Sequence, residues 1–243
     1  MINNFTVATD IYAYLNEYRS LTREKQSTLF DVYTDEEIQK LVKLIAERFN
    51  TKVMLINNTI YLIPNSDNKL LCYTKTELKD AMLRPGTYNE VDFNLANFII
   101  GELLTTFYNS KTEQLAMFQI SYSDFENRVN TSIKKAQEYN VEELENEHNV
   151  PFINIIKKWN TLKGSDGDTK AKETRYGFMC KVLKFLDNEK LIEWFEDDKL
   201  IKPTKKLTDL VTGVILYKPE FKKHEELFIK LKSQEPVVAG KGE

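Results

Sequence analysis

The chain is poor in the residues that usually carry chemistry. Its 243 residues contain two histidines, two cysteines and eight glycines. The two cysteines, Cys72 and Cys180, are far apart in sequence, which excludes a disulfide-stapled scaffold and points to a reducing, cytoplasmic setting. No glycine precedes Gly86, so the first third has no glycine-rich loop to cradle a phosphate. No Walker motif, dinucleotide fingerprint or Cys-x-x-Cys pair occurs. No apolar run approaches the ~18 residues of a membrane helix, and Met1 to Phe5 lack the basic and apolar regions of a secretory signal. Charge of one sign is also missing, since 34 Lys+Arg face 37 Asp+Glu.

The distribution of charge is more informative than its sum. Residues 1–149 carry 15 basic against 22 acidic side chains, and residues 150–243 carry 19 against 15. The second half is therefore the better candidate for a phosphate-facing surface. Hydrophobic content of 42% with 12% aromatics supports packed cores rather than wholesale disorder.

Two stretches have the same order of elements. Residues Asp35 to Phe49 form an amphipathic helix with Ile38, Leu41, Val42, Ile45 and Phe49 on one side. Val53 to Ile56, Asn57-Asn58 and Ile60 to Ile63 then read as a hairpin. From Asp168 onward a second helix places Tyr176, Met179, Cys180, Leu183 and Leu186 on one stripe, and Asp187-Asn188 closes it. Leu191 to Glu196 follow as a strand, Asp197-Asp198 as a turn, and Leu200-Ile201 as a return limb ended by Pro203. Thr208 to Val211 read as a cap or one brief helical turn.

Between and around these units the periodicity predicts helices over Asp10 to Tyr18, Leu21 to Val32, Thr76 to Leu83 and Asp92 to Tyr108. It predicts others from Ser123 to Tyr139, extending towards His148, and from Pro151 through Trp159, whose inward side is Phe152, Ile155, Ile156 and Trp159. Leu70 to Tyr73 read as a strand. The fold class is mainly α with short β-hairpins, an α+β chain of tandem winged-helix domains. The expected domains are 1–83, connecting helices 84–149, a second winged helix 150–235, and a disordered tail 236–243.

Three constellations could carry chemistry. Asp166-Gly167-Asp168 resembles the start of a calcium loop, but Lys170, Ala171 and Gly177 stand where ligands and the loop glycine belong. Asp197-Asp198 with Glu193 and Glu196 could form a two-metal cluster, and a solvated hairpin tip explains them as well. His148 and His224 read as ordinary surface groups. An enzyme is therefore not expected, and neither is a metal or other cofactor.

Two surfaces remain. Lys157, Lys158, Lys163, Lys170, Lys172, Arg175, Lys181 and Lys184 outnumber the three acids of the same stretch, and on the second helix Lys170, Lys181 and Lys184 fall largely opposite its apolar stripe. Few Arg, Asn or Gln are placed to grip base edges, so backbone contact with double-stranded DNA is expected rather than an operator site. The second surface is apolar. Phe93, Phe98, Leu103, Phe107, Met117 and Phe118 exceed what one small core needs, and they fit either interdomain packing or a partner subunit.

With Asp35 to Ile63 and Glu173 to Val211 as its carriers, the chain resembles the kite family, the tandem winged-helix subunits of SMC complexes. Within that family it is similar to the MukE-like B subunits of Wadjet plasmid-defence systems. The resemblance implies a non-catalytic homodimer that grips a kleisin subunit near the heads of an SMC-like ATPase and helps hold DNA in the nucleoid-associated cytoplasm. A stand-alone winged-helix transcription regulator is the rival expectation.

Overall fold

A computed structural model describes residues 2–109, 112, 114–164, 171 and 173–232. It is mainly helical, with small antiparallel sheets, and divides into two compact units between Glu77 and Leu78.

The first unit runs α1 (Ile2–Tyr18), β1 (Ser20–Thr22), α2 (Ser27–Val32), α3 (Glu36–Arg48), β2 (Thr51–Ile56) and β3 (Thr59–Pro64). Ala8, Ile11, Tyr12 and Leu15 recur at helical spacing and are buried. They pack with Ile38, Val42 and Ala46 of α3 and with Val53, Ile60 and Leu62 of the hairpin. Helix α3 begins where Asp35 accepts hydrogen bonds from the backbone of Glu37 at 2.7 Å and Ile38 at 3.3 Å. The β2–β3 turn is Asn57-Asn58, both at positive φ, the type I′ geometry that suits a two-residue hairpin. The sheet order is β1-β3-β2, so the first strand adds to the outer side of the hairpin's second strand.

Several expectations for this unit are corrected. The first helix starts at Ile2 rather than Asp10, because Ala8 belongs to the same buried stripe. Leu21 to Val32 is not one helix. Arg19 takes a positive φ of 65°, which ends α1, and Leu21 then pairs opposite Ile60 in the sheet. Leu70 to Tyr73 is not a strand. The buried Asn68 side chain accepts from the backbone of Leu70 (3.1 Å) and Leu71 (3.0 Å) and donates to the carbonyls of Phe49 and Asn50, which folds the segment into a turn. Phe49 is 60% exposed, although its ring stacks on Tyr12 at 5.2 Å.

The division between units falls within α4 (Lys75–Leu83). The second unit continues with α5 (Glu90–Phe107), a small ladder of β4 (Tyr108–Asn109) and β5 (Gln114–Leu115), β6 (Ile120–Ser121), α6 (Tyr122–Glu138), α7 (Val141–His148), α8 (Phe152–Thr161) and α9 (Arg175–Asn188). Then come β7 (Ile192–Phe195), β8 (Leu200–Pro203), α10 (Lys205–Leu210), a π-helical turn Val211–Ile215, and α11 (Pro219–Lys232). Its three-stranded sheet has the order β6-β8-β7. Both units therefore share one plan: a helix, a strand, further helices, and a hairpin whose second strand takes the first strand as neighbour.

Residues 84–149, expected as connecting helices, are part of this second unit's core together with 150–232. Helix α5 explains why. Leu95, Ala96, Phe98, Ile99, Leu103 and Phe107 are buried on more than one side, so α5 needs cover from α6, α8, α9 and α11 at once. The helix expected from Ser123 towards His148 is two helices. Ser121 caps α6, and Asn140 caps α7 by accepting from Glu143 N. The α9 start is set by Thr174, whose hydroxyl accepts from Gly177 N at 3.0 Å. After the second hairpin Thr204 caps α10, so the brief turn expected at Thr208 is a full helix passing into the π-helical turn. Residues 165–170 and the expected tail 236–243 lie outside the described residues.

Candidate functional site

The basic surface is built on α8 and α9. The end of α8 is tied to the start of α9 by Lys163 N donating to the Glu173 carbonyl at 2.7 Å and Arg175 N donating to the Lys163 carbonyl at 3.0 Å. This fixes where the cations can point. Lys158 forms an ion pair at 2.7 Å with Asp92, a buried carboxylate that also accepts from Asn89 N in the capping box of α5. The Arg175 guanidinium lies 4.7 Å from the centroid of the Trp159 ring, whose Nε1 donates to Asn130. Lys181 Nζ sits 5.8 Å from the centroid of Tyr88, and Lys184 pairs at 3.1 Å with Glu196 of the hairpin turn. Burial pushes the Tyr88 hydroxyl above its ordinary pKa, so the ring beneath Lys181 stays a neutral phenol.

Four of the expected cations therefore have intramolecular roles, and Lys157 and Lys163 are exposed. Lys170 and Lys172 lie outside the described residues. Helix α9 is also buried over eight of its fourteen positions, including Phe178 and Val182 beyond the expected stripe. A helix so enclosed offers a narrow outer strip, and that strip is partly neutralised by the hairpin.

The apolar partner surface needs correction. Phe93, Phe98, Leu103 and Phe107 are at most 5% exposed and form the inside of the second unit. Phe98 meets Phe152 at 5.8 Å and Phe228 at 5.1 Å between ring centroids. Their excess over one small winged helix is accounted for by α6, α7 and α11, which enlarge the core. Met117 is half-buried against that core, and Phe118 is 79% exposed. Only these two of the six remain available at a surface.

Sequence reasoning missed two features. The first is Glu102, a fully buried carboxylate in the apolar run of α5. It accepts from the Ser132 hydroxyl of α6 at 2.8 Å and pairs with Lys232 of α11 at 2.7 Å. The signal was visible as one acid inside an otherwise apolar helix. The second is His148, expected as a surface group but with a side chain only 8% exposed. Burial lowers its pKa, with Lys230 and His224 acting in the same direction and Glu147 and Glu226 opposing. His224 is exposed, its Nδ1 2.7 Å from the Glu220 carbonyl oxygen. Among the described residues no three His, Cys, Asp or Glu side chains are grouped to hold a metal ion.

A groove of about 800 Å³ opens on the second unit between β6 and the outer side of α6. Met117, Ile120 and Leu200 form its apolar part, and Arg128 of α6 stands on its wall.

The fold and these surfaces define an α+β chain of two helix-and-hairpin units, with no described helix long and apolar enough to cross a membrane. A family model described as a family of unknown function, DUF6063, matches residues 2–235, and the chain belongs to that family. No curated protein matches the sequence significantly.

Proposed function

We propose that the chain is a kite-type subunit of an SMC-like complex, a non-catalytic tandem winged-helix protein. The observation that supports this most is the repeated plan of the two units. In each, a strand far upstream of the hairpin adds to the hairpin's second strand, giving the orders β1-β3-β2 and β6-β8-β7. This order is consistent with the winged-helix reading, in which the hairpin would be the wing and α3 or α9 the helix before it. In the second unit α6, α7 and α11 elaborate the plan into a larger body.

On this reading the chain works as a homodimer that binds a kleisin subunit, stands beside an SMC-like ATPase, and helps hold double-stranded DNA during ATP-driven loop extrusion in plasmid defence. Its DNA contact is through the phosphate backbone, with exposed Lys157 and Lys163 as the contributing cations. The test is a tagged pull-down from cells co-expressing the flanking genes, followed by mass determination of the eluate in solution. Two copies of this chain with a kleisin-like and an SMC-like protein are expected. A lone chain would remove the reading.

A stand-alone transcription regulator draws on a different observation. On α3, Lys40, Lys43 and Arg48 are exposed and carry no ion pair among the described residues. A regulator would hold a specific duplex at ~200 mM salt, where non-specific phosphate binding has largely faded.

A further inference from the structure

The groove between β6 and α6 combines three features that fit one kind of ligand. First, β6 is the outer strand of its sheet. Its ladder runs towards β8, where Ile120 pairs opposite Ile201 and Ser121 opposite Leu200, and Tyr122 N donates to the Lys199 carbonyl at 2.7 Å. The opposite edge has no strand beside it among the described residues, and Gln119, Ile120 and Ser121 line the groove together with Leu200 of β8. An unpaired strand edge is a template for another extended chain.

Second, the groove holds a cation without a counter-ion. Arg128 is half-buried on the wall and has no ion pair or hydrogen bond through its side chain among the described residues. Of the other charged groups in the lining, the Asp124 carboxylate accepts from the Ser121 hydroxyl at 2.7 Å and keeps its charge, and Lys232 is matched by buried Glu102. A half-buried guanidinium with open donors is suited to a carboxylate.

Third, part of the lining is apolar, formed by half-buried Met117 with Ile120 and Leu200. Phe118, the next residue in the chain after Met117, is 79% exposed. An exposed aromatic gains from being covered.

We infer that this groove binds an extended peptide segment of a partner chain, added as a strand to β6, with an apolar side chain against Met117 and a carboxylate on Arg128. The inference rests on reading the chain as an assembly subunit, and it places the peptide-gripping surface on the second unit. Such a ligand carries its apolar and acidic side chains two residues apart, since successive side chains of a strand face opposite ways and only one set enters the groove.

The probe is a fluorescein-labelled heptapeptide, Ser-Val-Ser-Asp-Ser-Val-Ser, which sets valine and aspartate on one face, titrated into the purified full chain and followed by anisotropy. Saturable binding is expected, weakened about tenfold or more when lysine replaces aspartate, a factor consistent with losing one hydrogen-bonded charge pair. A similar loss is expected in Arg128→Glu, with circular dichroism confirming its fold. Methylating alternate peptide nitrogens is expected to abolish binding, because strand addition requires those donors. Replacing the valines of the probe by serine is expected to weaken binding several-fold.

Equal binding of the aspartate and lysine peptides would overturn the inference, as would indifference to N-methylation. So would absence of saturable binding below about 1 mM, the scale of an interaction too weak to be specific. Displacement of the bound peptide by a single-stranded thymidine oligonucleotide, with loss of oligonucleotide binding in Arg128→Glu, would assign the groove to nucleic acid instead. The subunit reading fails separately, by a pull-down that returns a lone chain. Peptide binding could survive that result.

Discussion

His148 is the one histidine whose surroundings resist its charge. Its side chain is 8% exposed at the end of α7, and burial holds its pKa below the ordinary 6.5. Below about pH 6.5 the unfolded chain binds a proton that the folded chain binds less readily, so the unfolded state gains on acidification. The second unit is thus expected to lose stability as pH falls from 6.5 towards 5, and to show no His148-linked change above 7. Urea midpoints measured across that range check this, and His148→Gln should flatten the profile. The partner Glu147 titrates lower still, because Lys230 at 2.8 Å holds its carboxyl below the usual range, so its contribution persists until the pH is more acidic. At the same scale the sequence placed Cys180, Met179 and Leu183 correctly on an inward face, since a 3.6-residue period demands it. It could not tell that Phe98 or Phe107 faced another helix of the same unit and not a partner, because periodicity records how wide an apolar face is and not what covers it.

Among elements, α11 is held by polar contacts as well as by Phe221, Leu227, Phe228 and Leu231. Lys232 reaches Glu102, Lys230 reaches Glu147, and the Tyr139 hydroxyl donates to the Lys230 carbonyl at 3.3 Å. Gly101 lets the Phe228 ring approach α5 closely, since a Cβ there would stand 3.0 Å from its Cε2. Removing the ammonium in Lys232→Ala leaves a carboxylate buried without its counter-charge. A fully buried pair broken in this way costs about 3–5 kcal/mol. Lys232 is 30% exposed and water relieves part of the loss, so we expect about 2–3 kcal/mol in chemical unfolding. Adding Glu102→Gln is expected to recover much of it, because the amide keeps an acceptor for Ser132 without a charge. Failure of that recovery would mean that the lysine acts through packing. Both hairpins were legible from β-branched runs and their turn residues. The split of α6 from α7 was less so, as Asn140 acts as a cap only once Glu143 N is turned towards it.

At the scale of the whole molecule, the two units have separate cores, one around Ile11, Leu15, Val42 and Ile60 and the other around Phe98, Phe125, Trp159 and Phe178. Each closes its own three-stranded sheet. A fragment of residues 1–77 is therefore expected to unfold cooperatively by itself, as is a fragment of 78–243, when each is heated and followed by circular dichroism. A non-cooperative melt of the shorter fragment would show that its core, small for an independent domain, needs the rest of the chain. The sequence by itself determined most of the long helices, both hairpins and the repeated helix-then-hairpin order, because local spacing, caps and turn residues act within a few positions of the chain. The tertiary structure decided which cations stay exposed, that α5 is interior, and that β6 presents an open edge beside Arg128. Those outcomes depend on residues such as Asp92 and Lys158, or Glu102 and Lys232, that meet across 66 and 130 positions, and no local pattern records such pairings.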